Sequence, residues 1–199
     1  MYEKDIVTST ITLLGESGVG KDTIINMYNN KQFNHNISST LGMNFSYKEM
    51  IVNKKDKIIL KLIDTTGHEK YRSLSKIYLK HIDAVLFVFS LDDIKSFYTI
   101  IRWIELFKNN NNKEDVPKYL IGNNKDLGNF VEQSLIDEFA QKNNIPYIPV
   151  SSKEKKSIDK LFEEIGKKLY LNYINRVEKS KLILKNLKIL KNVYSIFIN

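Results

Sequence analysis

Apolar and polar positions follow two rhythms along the chain, and the switches between them mark the elements. Thr10–Leu14 is a short, mostly apolar run that stops at Gly15 and predicts a buried strand. Lys21–Asn29 reads as a helix. Phe45–Val52 and Lys57–Ile63 are strand-like, and the polar turn Asn53-Lys54-Lys55-Asp56 between them is short enough to predict an antiparallel hairpin. Ala84–Phe89 is continuously apolar, as a strand covered on both faces should be. Apolar residues at 94, 97, 100, 101, 104 and 107 predict one helix over Ile94–Phe107. The asparagine run Asn109–Asn112 reads as a loop, Tyr119–Gly122 as a short strand, and Glu132–Lys142 as a helix facing inward through Leu135, Ile136 and Phe139. Tyr147–Val150 predicts a last strand, which Pro149 places at an edge or a strand end. Ser157 is positioned to cap a helix bearing Ile158, Leu161, Phe162, Ile165 and Leu169.

Strands alternating with helices imply a doubly wound α/β fold. The hairpin supplies one antiparallel strand in an otherwise parallel six-stranded sheet. In such sheets ligands bind beyond the carboxyl ends of the strands, so the chemistry is expected in the loops there. The expected organisation is one domain over residues 1–172, followed by a basic amphipathic helix or tail over 173–199.

Composition narrows the classes. The 199 residues are 42% hydrophobic and 27% charged, enough apolar content to bury a core without covalent staples. There is no cysteine, so within this sequence disulfides, thiolate metal sites and prenylated thiols are excluded. No secretory leader and no run of about 18 apolar residues is visible, and a cytoplasmic protein is expected. The formal net charge is +8, and Arg176–Asn199 holds six basic residues against one acid. Lys, Asn and Ile are all overused, as A/T-rich coding would produce. No aromatic–basic interleaving marks a nucleic-acid surface. In the tail, Ile183, Leu187, Leu190, Tyr194 and Phe197 form one stripe with Lys181, Lys185 and Lys188 roughly opposite. Such a helix suits an anionic membrane surface or a partner's groove, or simply extends the preceding helix.

Two loops carry candidate chemistry. Gly15-Glu-Ser-Gly-Val-Gly-Lys21 follows a predicted strand and opens a helix, the context in which G-x-x-x-x-G-K cradles phosphate. The backbone amides of Gly15, Ser17, Gly18, Val19 and Gly20 can curl toward an anion, the helix N-terminus adds positive potential, and Lys21 reaches the outer phosphates. After the lysine the motif calls for a hydroxyl to ligate Mg²⁺, but here stands Asp22, followed by Thr23. Three roles are open to this carboxylate: a hard oxygen ligand to Mg²⁺, a like charge repelling phosphate, or an acceptor for the loop's own amides. It could also do no more than complement the helix dipole. The second loop, Asn123-Asn-Lys-Asp126, also follows a strand, and Ser151-Ser-Lys153 comes after it. The Asp126 carboxylate can accept from the N1–H and 2-amino groups of guanine; adenine has neither donor and would leave a buried acceptor unpaired. A kinase or ATPase reading leaves Asp126 and Ser151-Ser-Lys153 without a use.

Together these motifs resemble the Ras superfamily over about residues 8–172. Asp64-Thr-Thr-Gly-His-Glu69 is similar to D-T-A-G-Q-E, Asn123-Asn-Lys-Asp126 to N-K-x-D, and Ser151-Ser-Lys153 to S-A-K. Within it, Ser39-Thr-Leu-Gly-Met-Asn-Phe45, Lys70-Tyr-Arg-Ser-Leu-Ser75 and Ile77-Tyr-Leu-Lys80 look like Rab segments, and Tyr71-Arg-Ser-Leu74 leans toward endosomal Rabs. The resemblance implies a GTP/GDP switch with Mg²⁺, working in vesicle traffic on the cytosolic face of endomembranes. Thr40 would then sense the γ-phosphate and the metal, Asp64 would hold the metal through water, and Gly67 would bond the γ-phosphate. Ser152 would offer its backbone N–H to the guanine oxygen, and Lys153 would lie against the base. Residues 34–45 and 65–78 would be the switches read by effectors, an exchange factor and a GTPase-activating protein.

The sequence departs from that pattern at several positions besides Asp22. His68 stands where the family orients the attacking water with Gln, which implies slow intrinsic hydrolysis. Asn124 replaces the Lys that braces base and phosphate loop, and Lys125, one place late, should point elsewhere. Ile63 replaces a Trp of the Rab effector triad, whose other members Phe45 and Tyr78 are kept, and Ile37 replaces a switch aromatic. A pseudo-GTPase that keeps the fold without efficient cycling is the alternative.

Overall fold

The computed structural model describes residues 7–30, 43–53, 56–65, 79–113, 115–128 and 130–197. Six strands form one sheet: β1 (Val7–Leu14), β2 (Met43–Ile51), β3 (Lys57–Thr65), β4 (Ala84–Ser90), β5 (Lys118–Asn123) and β6 (Tyr147–Pro149). Among the described residues the helices are α1 (Lys21–Tyr28), α2 (Ile94–Tyr98), α3 (Ile100–Asn110), α4 (Gln133–Asn143) and α5 (Lys155–Phe197). The strand order is β2-β3-β1-β4-β5-β6. β2 pairs antiparallel with β3, and the other neighbours are parallel. β1 is flanked by β3 on one side and β4 on the other, so the switch of direction falls at the carboxyl end of β1.

Both faces of the sheet are covered, which is why β4 is buried at all seven positions. Alternation divides it: Ala84, Leu86 and Val88 join the core beneath α1 and α5, whereas Val85, Phe87 and Phe89 join the core beneath α2, α3 and α4. On the first face Tyr28 stacks on Phe162 with ring centroids 4.1 Å apart. On the second, Phe87 meets Phe107 edge-on and Phe97 touches both Phe89 and Phe139. β6 is an edge strand and Pro149 is its last residue, so the missing amide costs no ladder bond.

Several boundaries differ from the sequence reading. The helix expected over Ile94–Phe107 breaks at Thr99, and Asp93 caps the first piece by accepting from the Lys95 amide at 2.9 Å. The break resets which residues face inward: Ile101 is exposed, and Trp103, absent from the predicted stripe, is buried between Ile100 and Phe107. Half of the asparagine run is helical, and Asn111 is buried with its Nδ2 donating to the Leu79 carbonyl at 2.5 Å. α5 begins at Lys155, so Ser157 lies inside its first turn and is not its cap. Ile158, Leu161, Phe162, Ile165 and Leu169 are buried as expected. The helix passes residues 172 and 173 without a break, and beyond Tyr173 the apolar residues Leu182, Ile183 and Leu184 are exposed. Among the described residues no helix is long and apolar enough to cross a membrane.

Candidate nucleotide site

The phosphate loop sits at the switch point. Gly15 lies against β4 so closely that a Cβ there would run into the Val88 carbonyl, so the tight approach requires glycine. Val19 is buried and roots the loop in the core, while Ser17 and Gly18 face solvent. Gly18 and Gly20 have φ of +85° and +86°, left-handed values that favour glycine and turn the chain into α1. Trp103 Nε1 donates to Glu16 Oε1 at 3.3 Å, a tie to α3 that no local pattern announces.

Lys21 is 5% exposed, and its Nζ donates to the carbonyls of Gly15 at 2.9 Å and Glu16 at 2.7 Å. Burial lowers its pKa from 10.5 to about 8, and the nearby carboxylates of Asp64, Asp22 and Glu16 oppose that fall. Asp64 and Asp22 therefore both lie within electrostatic reach of the ammonium. Asp64 is buried near the end of β3 and pairs in register with Leu13, and Thr65 Oγ1 donates to the Leu13 carbonyl at 2.7 Å. Asp22 Oδ1 accepts from the Thr23 hydroxyl at 3.4 Å, a neighbour in the first turn, and not from the amides of the loop. Of the three candidate metal residues, Asp22 and Asp64 converge here. Thr40 lies outside the described residues, as do Gly67 and His68. Among the described residues no group of three or more His, Asp or Glu side chains could hold a metal. Two carboxylates beside a phosphate cradle fit Mg²⁺, which takes one or two protein oxygens together with phosphate oxygens.

The second loop is joined to the first by a single side chain. Asn123 ends β5 fully buried. Its Nδ2 donates to the Val19 carbonyl at 2.9 Å and its Oδ1 accepts from the Ser152 amide at 3.0 Å. The resemblance gives that amide to a guanine oxygen; in the structure it donates to the buried Asn123 carboxamide, which ties the two loops together. Asn124 has φ of +62° and turns toward the end of β4, where its Nδ2 donates to Ser90 Oγ at 2.6 Å. It does not brace the phosphate loop. Lys125 points away, as expected, and pairs with Glu154 at 2.9 Å.

Asp126 Oδ1 accepts from Ser151 Oγ at 2.6 Å, and Oδ2 meets Lys153 Nζ at 2.9 Å. The Ser151 hydrogen bond, then the one from Lys153, hold the Asp126 carboxyl below its usual range, so it is an acceptor at neutral pH. Each oxygen keeps lone-pair capacity for a further donor. Gly20 closes the circuit: a Cβ there would meet Asn123 Nδ2 and Ser152 Oγ, so the glycine-rich loop and the loops at Asn123 and Ser152 share one wall. Phe45 is half exposed and lies opposite the buried Ile63 in the β2–β3 register, while Tyr78 and Ile37 lie outside the described residues.

The family profile described as "Ras family" matches residues 10–171. Curated relatives agree. The Ypt/Rab-type GTPase ypt7 of Schizosaccharomyces pombe is 34% identical over 165 residues, covering 79% of this chain and 80% of that protein. Ras-related protein Rab7 of Glycine max is 34% identical over 170 residues, 81% of this chain and 82% of its own. Ras-related protein Rab-11B of Dictyostelium discoideum is 32% identical over 162 residues, 80% of this chain and 73% of its own. With a phosphate cradle and a carboxylate loop clasped together at the switch point of a six-stranded sheet, this chain belongs to the Ras superfamily of small GTPases and is of the Rab type.

Proposed function

We propose that the protein is a GTP/GDP-binding switch of vesicle traffic whose intrinsic hydrolysis is slow. The supporting observation is the Asn123 clasp, which ties the glycine-rich loop at Val19 to the Ser151-Ser-Lys153 loop at Ser152. In this reading the amides from Gly15 to Gly20 and Lys21 hold the phosphates, with Thr23 in the first turn beneath them. Asp22, Thr40 and Asp64 would hold Mg²⁺, and Gly67 would bond the γ-phosphate. Asp126 reads the guanine edge, Ser151 and Lys153 orient that carboxylate, and Asn123 and Ser152 hold the two loops at fixed separation. Asn124 buttresses β4, leaving the base without the family's lysine stem beside it. Bound Mg²⁺ would supply charge neutralisation between the phosphates.

Slow turnover follows from His68, which lacks the carboxamide geometry that orients water, and from the charge of Asp22 beside the phosphates. Effectors, an exchange factor and a GTPase-activating protein would read residues 34–45 and 65–78. The basic tail would meet the cytosolic face of an endomembrane. The test is to denature purified protein and identify the released base. Guanine nucleotide supports the switch, and none in the presence of millimolar Mg²⁺ refutes it. Restoring the hydroxyl with Asp22→Ser then separates the pseudo-GTPase alternative: a sharp gain in GTP affinity favours that alternative, and little change shows that the carboxylate is tolerated.

A further inference from the structure

Away from the glycine-rich loop, at the opposite end of the sheet, lies a cleft of about 680 Å³ between the start of β5 and the middle of α5. Its walls carry five cations, Lys113, Lys118, Lys168, Arg176 and Lys179, against two carboxylates, Asp83 and Asp115. Asp83 is already engaged, by the Thr10 amide at 2.9 Å and by Lys113 at 3.7 Å. Lys168, Arg176 and Lys179 form no ion pair with a described residue, although Glu164 lies one turn from Lys168 and acts on Tyr119 in the same wall. Arg176 donates only its Nε, to the Asn172 carbonyl at 3.4 Å, which leaves the two terminal nitrogens for an oxyanion.

On α5 these residues recur at 168, 172, 175, 176 and 179, one face of a helix, with the like charges Arg176 and Lys179 one turn apart. Uncompensated like charges at that spacing weaken a helix. The same helix continues directly into Lys181, Leu182, Ile183, Leu184 and Lys185, all exposed, so a cationic cleft adjoins a stretch offering both cations and apolar groups. That combination suits the boundary of a bilayer, with phosphates at one depth and acyl chains just beyond.

We propose that this cleft binds the multiply phosphorylated headgroup of a membrane lipid. The proposal rests on the membrane contact proposed for the tail and gives it a specific ligand. It needs nothing from the nucleotide site.

The test uses the full chain as purified, co-sedimented with vesicles of phosphatidylcholine containing either phosphatidylserine or a bisphosphorylated phosphoinositide at matched negative charge. The expected result is binding about tenfold or more tighter to the phosphoinositide vesicles. Joint substitution Lys168→Gln and Lys179→Gln should abolish that preference. Lys181→Gln with Lys185→Gln should weaken both vesicle types alike and leave the ratio intact. All these positions are exposed, and a urea unfolding midpoint matching that of the unsubstituted chain reports that each variant is folded. Equal binding to the two charge-matched vesicles, or a cleft variant that keeps the preference, overturns the headgroup site while leaving the tail contact standing. Failure to bind either vesicle removes both. Two controls bear on the source of the phosphate. Soluble inositol trisphosphate binding as tightly as the vesicles would make this a free-anion site and overturn the lipid assignment. An acidic peptide displacing the protein better than that soluble headgroup would likewise overturn it, in favour of a protein partner.

Discussion

Replacing Asn123 by alanine severs both halves of the clasp at once. The side chain is fully buried, so neither partner can turn to bulk water: the Val19 carbonyl loses a donor at 2.9 Å and the Ser152 amide loses an acceptor at 3.0 Å. Each orphaned group costs about 1–3 kcal/mol, so the substitution should destabilise the domain by about 2–6 kcal/mol. That is a large fraction of the roughly 5–15 kcal/mol by which a domain of this size is stable. Asn123→Asp is the informative companion. It keeps an acceptor for Ser152 but sets a carboxylate oxygen against the Val19 carbonyl, so it should be no more stable than the alanine variant. Urea unfolding gives the stability, and dissociation of a fluorescent GDP gives the functional effect, which should be faster release. Asn124→Ala is the control, because its bonds are to Ser90 and Asp92 and do not join the loops. A loss below about 1 kcal/mol for Asn123→Ala, with unchanged GDP release, would show that Val19 and Ser152 find other partners and would refute the reasoning.

Gly20→Ala should cost about 3 kcal/mol, combining a left-handed φ of +86° with a Cβ driven into Asn123 Nδ2. Because both changes break one contact, a double-mutant cycle with Asn123→Ala should be strongly non-additive in urea unfolding. For Lys21, the folded pKa of about 8 lies below the unfolded value of 10.5, so the unfolded chain holds more protons between them. Stability of nucleotide-free protein should therefore rise between about pH 8 and pH 10, by up to about 1.4 kcal/mol per unit. Above pH 10 the trend should reverse, because burial raises Tyr28 and Tyr147 to about 12 in the fold. Thermal melts across this range should show the rise, and Lys21→Met should abolish it. Asp126→Asn should erase the preference for GTP over ATP in competition binding while leaving the urea midpoint within about 1 kcal/mol of wild type, because the partly exposed carboxylate forms mostly solvent-screened contacts.

What could be read from sequence is what depends on neighbours along the chain. The apolar run Ala84–Phe89 and the glycine spacing from Gly15 to Gly20 are local patterns, and both appear where expected. What escaped depends on contacts between distant segments. The two bonds of Asn123 reach across 104 and 29 residues, so nothing near Ser152 reveals that partner. Trp103 was missed because a five-residue helix capped by Asp93 precedes a second helix in a different phase. The start of α5 at Lys155 was misjudged because Ser157 is a good cap by composition, whereas the turn at Ser151–Glu154 had already opened the helix.

The Lys21 ammonium, lodged against the carbonyls of Gly15 and Glu16, has a consequence for how a ligand arrives. Stripping water from a cation is the expensive part of meeting a phosphate in a narrow mouth, and here the chain completes it while folding. An incoming anion meets a dry, oriented charge and has only to lure it from two backbone oxygens. On the proposed reading of Lys21 as the phosphate ligand, that desolvation is met during folding and not at encounter.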